Sequence, residues 1–316
     1  MKRSDPDGVT RVAILGAGLI GSGWAACFLG RGIEVLAIDP APLAADRMRD
    51  QIASMAPVLE ELGLTNGRAD FSRLEVQAEP GPALADVQFV QESLPEKLPL
   101  KQDILRRVED FAAPDIVIAS STSALRISDI QARALHPGRY VAGHPYNPSH
   151  LMPLVEVSGG DATEATTVDW AMDFYAHVGK RPVRLARDIE GHIAGRLGAA
   201  LWREAVSLVE QGIASVADID AAVRYGPGLR WATMGPHMIY HLGGGEGGLR
   251  YYLDHLGASQ VKRWQSLGNP ALTEELKDRL VAGVLEEADG RSIDDLNRER
   301  DRMLLATLRA LADKDH

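Results

Sequence analysis

Three glycines, Gly16, Gly18 and Gly21, punctuate the run GAGLIG with the spacing GxGxxG. Taken alone the pattern is weak. Here it follows a strand-like run, VTRVAILG, opens a helical one, LIGSGWAACFLGRG, and precedes an acidic residue, Asp39, at the end of the next strand-like run, IEVLAID. That context is what a dinucleotide-binding fingerprint requires. Gly16 permits the tight turn, Gly18 lets backbone approach a pyrophosphate, and Gly21 lets the helix pack close to the strand. Residues Gly16, Ala17, Gly18, Leu19, Ile20 and Gly21 then form a helix start whose free amides suit phosphate oxygens. Asp39 is placed to accept hydrogen bonds from the adenosine ribose and to repel a 2′-phosphate. The residues after it, PAPLA, bring no arginine, so NAD is expected rather than NADP.

A hydride-accepting cofactor needs a partner group for the proton of the alcohol being oxidised. The segment GHPYNPSHLMPLVEV offers His144 and Glu156 among prolines and large apolar residues. Histidine suits proton abstraction because its pKa lies near neutrality. His144 follows RYVAG at the carboxyl end of a strand-like run, where open α/β sheets bind ligands. A carboxylate beside it would fix the tautomer and stabilise the imidazolium, the orienting role of the acid in hydrolase triads. The competing assignment is a satisfied core histidine and a surface glutamate. A third element weighs against that: Ser123, in ASSTSAL after DIVIA, carries a hydroxyl suited to the reacting alcohol. Pro145, Pro148 and Pro153 stiffen the backbone between the members of the pair.

These groups need elements to hold them. In the N-terminal half short β-branched runs alternate with helical patterns, the signature of βαβ units and a parallel sheet. RLEVQ, VQFVQES, DIVIASS, RYVAGHPYN, LVEVSG and KRPVRLARD read as further strands, and about residues 42–62 as a polar helix. From about residue 190 the periodicity is helical. The expected architecture is α/β: a Rossmann-type, mostly parallel sheet domain over residues 1–188, then an all-α domain over 189–316 for substrate and dimerisation. LGGGEGGL, residues 242–249, reads as a flexible loop.

Composition limits the partners. A net charge of −10 without a Lys/Arg cluster argues against nucleic acid and anionic membrane surfaces. No apolar run approaches the length of a transmembrane helix, and the first residues, MKRSDPDG, lack a signal-peptide pattern. The single cysteine, Cys27, lies in an apolar run and fits a reducing, cytoplasmic setting. No metal site is expected.

The chain resembles the 3-hydroxyacyl-CoA dehydrogenase family of NAD-dependent β-hydroxy-acid dehydrogenases. ILGAGLIGSG, ESLPEKLPLKQDI, SSTSAL, GHPYNPSHLMPLVEV and GHIAGRL fall in family order over nearly the whole sequence. The resemblance implies a catalytic pair at His144 and Glu156 and a substrate-facing serine at Ser123. It further implies cofactor contacts from Asn147, Glu96 and Lys101. One position departs: GHIAGRL has Gly195 where acyl-CoA members carry an asparagine, which argues against a CoA thioester.

The second half is similar to the L-carnitine 3-dehydrogenase branch of that family, and less closely to the L-gulonate 3-dehydrogenase and lambda-crystallin branch. A substrate with a trimethylammonium group and a carboxylate about a secondary hydroxyl calls for aromatic faces and a basic group. Trp231 and Tyr240 are the candidates for the cation, and Arg230 or Ser123 for the carboxylate. Gulonate and 3-hydroxybutyryl-CoA are the alternative substrates. A non-catalytic, crystallin-like NAD-binding protein is the alternative of another class, disfavoured by the intact Ser123, His144 and Glu156. A homodimer through the C-terminal domain is expected.

Overall fold

The structure, a computed structural model, describes residues 3–65 and 70–312. The chain divides into two compact units, residues 1–196 and 197–316.

The first unit is built on one eight-stranded sheet. Its strands are β1 Arg11–Leu15, β2 Glu34–Ile38, β3 Leu74–Gln77, β4 Phe89–Glu92, β5 Val117–Ser120, β6 Tyr140–Pro145, β7 Leu154–Gly159 and β8 Arg181–Arg184, in the order β3-β2-β1-β4-β5-β6-β7-β8. Its helices are α1 Leu19–Gly30, α2 Ala44–Glu61, α3 Leu98–Val108, α4 Ile127–Ile130, α5 Ala165–His177 and the start of α6 Ile193–Glu210. Alternation along β1 shows why the central strands are largely apolar, whereas the edge strands β3 and β8 are partly exposed. Val12 and Ile14 enter one core with Trp24, Phe28 and Phe174, while Ala13 and Leu15 enter the other with Leu105 and Ile118. Both faces of the sheet are therefore covered at its centre, as parallel sheets require.

Six of the seven strand pairings are parallel, and the reversal is β6 against β7. That antiparallel register sets His144 directly opposite Glu156. The strand order reverses between β1 and β4, on either side of the glycine turn, and such switch points are where α/β sheets hold ligands.

The second unit carries the rest of α6 and α7 Val216–Tyr225, α8 Pro227–Thr233, α9 Pro236–Gly243, α10 Gly248–Ser266, α11 Glu274–Ala288 and α12 Ile293–Ala312. Ser215 and Thr273 cap α7 and α11 by accepting from Asp218 N and Leu276 N. The compact units part after Arg196, and the backbone N–H groups of Ile193 and Ala194 and the ring of His192 bond within the first unit. One expectation changes. Residues 242–249 are no flexible loop: a short 3-10 turn over Gly245–Gly247 joins α9 to α10, with Gly245 and Gly248 at positive φ.

Candidate active site

The glycine turn lies at the carboxyl end of β1. Gly16 takes φ +97°, and a Cβ there would sit 2.6 Å from the Ser93 carbonyl oxygen. A Cβ on Gly21 would collide with the Gly16 carbonyl oxygen, so the third glycine is what lets α1 begin so close to the strand. Gly18 is exposed with open space on its Cβ side, and α1 starts without a side-chain cap, so no side chain satisfies its first N–H groups. Asp39 ties the turn to β2: its Oδ2 accepts from Ala17 N and its Oδ1 from Ala41 N, both at 2.8 Å. A bare helix start beside an anchored carboxylate fits a dinucleotide with a free ribose diol.

The base lies further along the sheet. His144 Nδ1 meets Glu156 Oε2 at 3.0 Å, with both residues buried. A carboxylate only accepts, so Nδ1 carries the hydrogen and Nε2 keeps its lone pair. The other oxygen, Oε1, accepts from Ile193 N at 2.7 Å and Ala194 N at 3.0 Å, at the start of α6. Burial by itself would raise the Glu156 pKa. The hydrogen bonds from His144, Ala194 and Ile193 outweigh it and hold the carboxyl below its ordinary value. The segment joining β6 to β7 is secured from behind by buried Lys180, whose ammonium donates to Ser149 O at 2.6 Å and Met152 O at 3.2 Å.

A third assembly carries the serine loop. Glu96 Oε1 accepts from the backbone N–H groups of Ser123 at 3.0 Å, Ala124 at 2.9 Å and Leu125 at 3.3 Å, and from the Thr122 hydroxyl. Burial would raise its pKa, but these donors and the Lys101 ammonium bring it down to about 2. Lys101 is buried, with Nζ 2.7 Å from Glu92 Oε1, 3.1 Å from Leu94 O and 3.1 Å from Glu96 Oε2. Its charge is thus engaged within the protein. The same holds for the shared oxygen of Glu96, so both residues act here as supports of the loop. Ser123 and Asn147 are exposed, each just beyond the end of a strand, β5 and β6 respectively. Arg230 and Trp231 lie on α8 and Tyr240 on α9, all exposed and all in the second unit, where Tyr240 packs against Tyr252 with ring centroids 5.0 Å apart.

Residues 11–189 match the family model for the NAD binding domain of 3-hydroxyacyl-CoA dehydrogenase, and residues 191–287 match the model for its C-terminal domain. The chain belongs to the 3-hydroxyacyl-CoA dehydrogenase family. It is an NAD-dependent oxidoreductase acting on a CH–OH group. Among relatives, L-carnitine dehydrogenase of Streptomyces griseus is 53% identical over 305 residues, 96% of this chain and 91% of that protein. The L-carnitine dehydrogenase of Pseudomonas aeruginosa is 46% identical over 95% of this chain and 93% of its own. Among solved structures, 5-formyl-3-hydroxy-2-methylpyridine 4-carboxylic acid 5-dehydrogenase, an NAD+-dependent dismutase, superposes with a TM-score of 0.82 at 29% identity, covering 96% of this chain and 99% of that one. The 3-hydroxybutyryl-CoA dehydrogenase of Escherichia coli gives 0.63 at 30% identity over 74% of this chain and 49% of that one.

Within this family member, sequence reasoning passed over His192, which is buried beside the pair. Its ring stacks on His144 with centroids 4.6 Å apart and 20° between planes, and its Nε2 lies 2.8 Å from Thr122 O. The available signal was a histidine directly after the glycine of GHIAGRL, at the foot of an apolar helix. The roles of Ile193 and Ala194 had no signal, because backbone N–H groups are the same in every residue type but proline.

Proposed function

We propose that this chain is an NAD-dependent L-carnitine 3-dehydrogenase, oxidising the 3-hydroxyl of L-carnitine to 3-dehydrocarnitine. The observation that carries the reading is its 53% identity, over 96% of its length, to an L-carnitine dehydrogenase. His144 takes the hydroxyl proton at Nε2, since Nδ1 is already committed to Glu156. Glu156 keeps the tautomer and offsets the charge of the imidazolium. Ser123 and Asn147 orient the hydroxyl and the nicotinamide end, and Glu96 and Lys101 serve the cofactor by fixing the loop from Thr122 to Leu125. Bound NAD supplies the hydride acceptor. Trp231 and Tyr240 offer aromatic faces to the trimethylammonium group, and Arg230 a partner for the carboxylate.

The protein works in the cytoplasm as a homodimer through its second unit. Trp202, Leu285 and Ile293 are 59%, 66% and 74% exposed there, apolar surface that a second copy would cover. No described helix is long and apolar enough to cross a membrane.

The test is NADH formation at alkaline pH with L-carnitine, L-gulonate and 3-hydroxybutyryl-CoA in parallel. Turnover is expected with L-carnitine, and turnover confined to either of the others overturns the substrate. His144→Gln should abolish turnover while leaving NADH binding unchanged. Retained turnover would remove His144 from the mechanism.

A further inference from the structure

The contacts of His192 point beyond filling space. Its imidazole lies almost parallel to that of His144, 4.6 Å away centroid to centroid. Because a carbonyl oxygen can only accept, the 2.8 Å contact to Thr122 O places the ring hydrogen on Nε2. The other nitrogen, Nδ1, is buried without a hydrogen-bond partner. A second proton there would be an unpaired buried charge, so the ring stays neutral while its neighbour gains and loses a proton. The charged or titratable groups around it are His144 on β6, Glu156 on β7 and Glu96 ahead of α3. Burial prevails over the two carboxylates and the Thr122 bond and holds its pKa below the ordinary histidine value.

The backbone is equally specific. His192 takes φ +47°, a left-handed conformation that side chains other than glycine rarely adopt. It persists because the chain is pinned at and just after the strained residue. The His192 ring bonds to Thr122, and the next two N–H groups grip Glu156. Three consecutive residues therefore hold both members of the pair, one ring against His144 and two amides on Glu156. Thr122 neighbours Ser123, so the same tether joins the serine loop to the base.

We infer that His192 is the positioning residue of the proton-accepting pair: its imidazole, stacked on the His144 ring, is the neutral platform that sets the plane of that ring. The inference rests on His144 being the base. It concerns the stacked face rather than proton transfer or the bond to Thr122, so a phenyl ring, which lacks that bond, should substitute for it and a flexible amide should not.

The experiment compares His192→Phe, His192→Gln and His192→Ala with the unaltered enzyme, using NAD and L-carnitine. It reads kcat, both KM values, NADH binding and the melting temperature. His192→Phe should keep kcat within about threefold, whereas His192→Gln and His192→Ala should lose about 10- to 100-fold, the scale of a misplaced reacting group. NADH binding and the KM for NAD should stay put in all three. A role confined to packing would instead lower melting temperature and NADH binding together. The inference is overturned if His192→Gln turns over like the unaltered enzyme, or if His192→Phe falls as far as His192→Gln. Those two variants decide it even should His192→Ala not fold. His144→Gln run alongside separates the failures: activity in that variant removes the base itself, whereas a dead His144→Gln beside a fully active His192→Gln removes only the platform.

Discussion

Glu156 divides its two carboxylate oxygens between different elements, one to the base and one to the start of α6. Its two conservative replacements should therefore separate. Glu156→Gln keeps an acceptor for Ile193 and Ala194 but loses the charge that supports an imidazolium. Its kcat should fall by about 10²- to 10⁴-fold with NADH affinity retained, as measured by steady-state kinetics and fluorescence titration. Glu156→Ala should in addition lower the urea midpoint, since the part-buried N–H groups of Ile193 and Ala194 lose their acceptor, at a cost of up to about 1 kcal/mol each. At this scale much of the site was legible. His144 and Glu156 stand out because titratable residues are rare in so apolar and proline-rich a segment. His192 escaped because its meaning is a stacking contact with a residue far away in sequence, on another element, and a lone histidine before a helix looks like many others.

The glycine turn makes a sharper prediction at the level of the element. Gly21→Ala must push a methyl into the Gly16 carbonyl and should cost at least about 2 kcal/mol of stability, read by denaturant unfolding. Gly18→Ala meets open space in the protein, so the melting temperature should hold while the Kd for NADH rises severalfold. The serine loop offers a pH test. Glu96 has a folded-state pKa of about 2 against an ordinary 4.5, so the stability it contributes is complete above about 4.5 and is lost as pH falls toward 2. Melting temperatures measured from pH 7 to pH 3 should converge for the unaltered protein and Glu96→Gln as the pH drops. The central strands were readable because both faces of the sheet are buried there, which makes them largely apolar runs. The reversal at β7 was not, since an antiparallel strand buried on both faces has the same composition as a parallel one. The hold of Glu96, backed by Lys101, on the serine loop was not legible, because its contacts join positions far apart in the sequence. The glycines of residues 242–249 read as slack chain, although positive φ at two of them makes a tight helix junction.

For the molecule as a whole, the second unit contrasts with the first. Its buried apolar cluster is small, centred on Val206, Val209, Ile219 and Leu276, while Trp202, Val284 and Leu285 remain exposed. Sedimentation should give a dimer, and Leu285→Asp should shift it toward monomer. A monomeric unaltered protein would overturn the homodimer. The sequence pattern announced a helical second half but not which apolar residues face inward, because a helix covered by another copy carries the same periodicity as one buried within its own chain.

The antiparallel pairing of β6 with β7 also bears on what it costs the chain to assemble the site. His144 and Glu156 are separated by twelve positions and meet across neighbouring strands, so closing the chain between them costs little conformational entropy. Glu96 meets the loop of Ser123 across twenty-seven positions, and Asp39 meets Ala17 across twenty-two. The proton-accepting pair is thus the part of the site whose closure costs the chain least entropy, and the cofactor turn and the serine loop are held by costlier, longer closures.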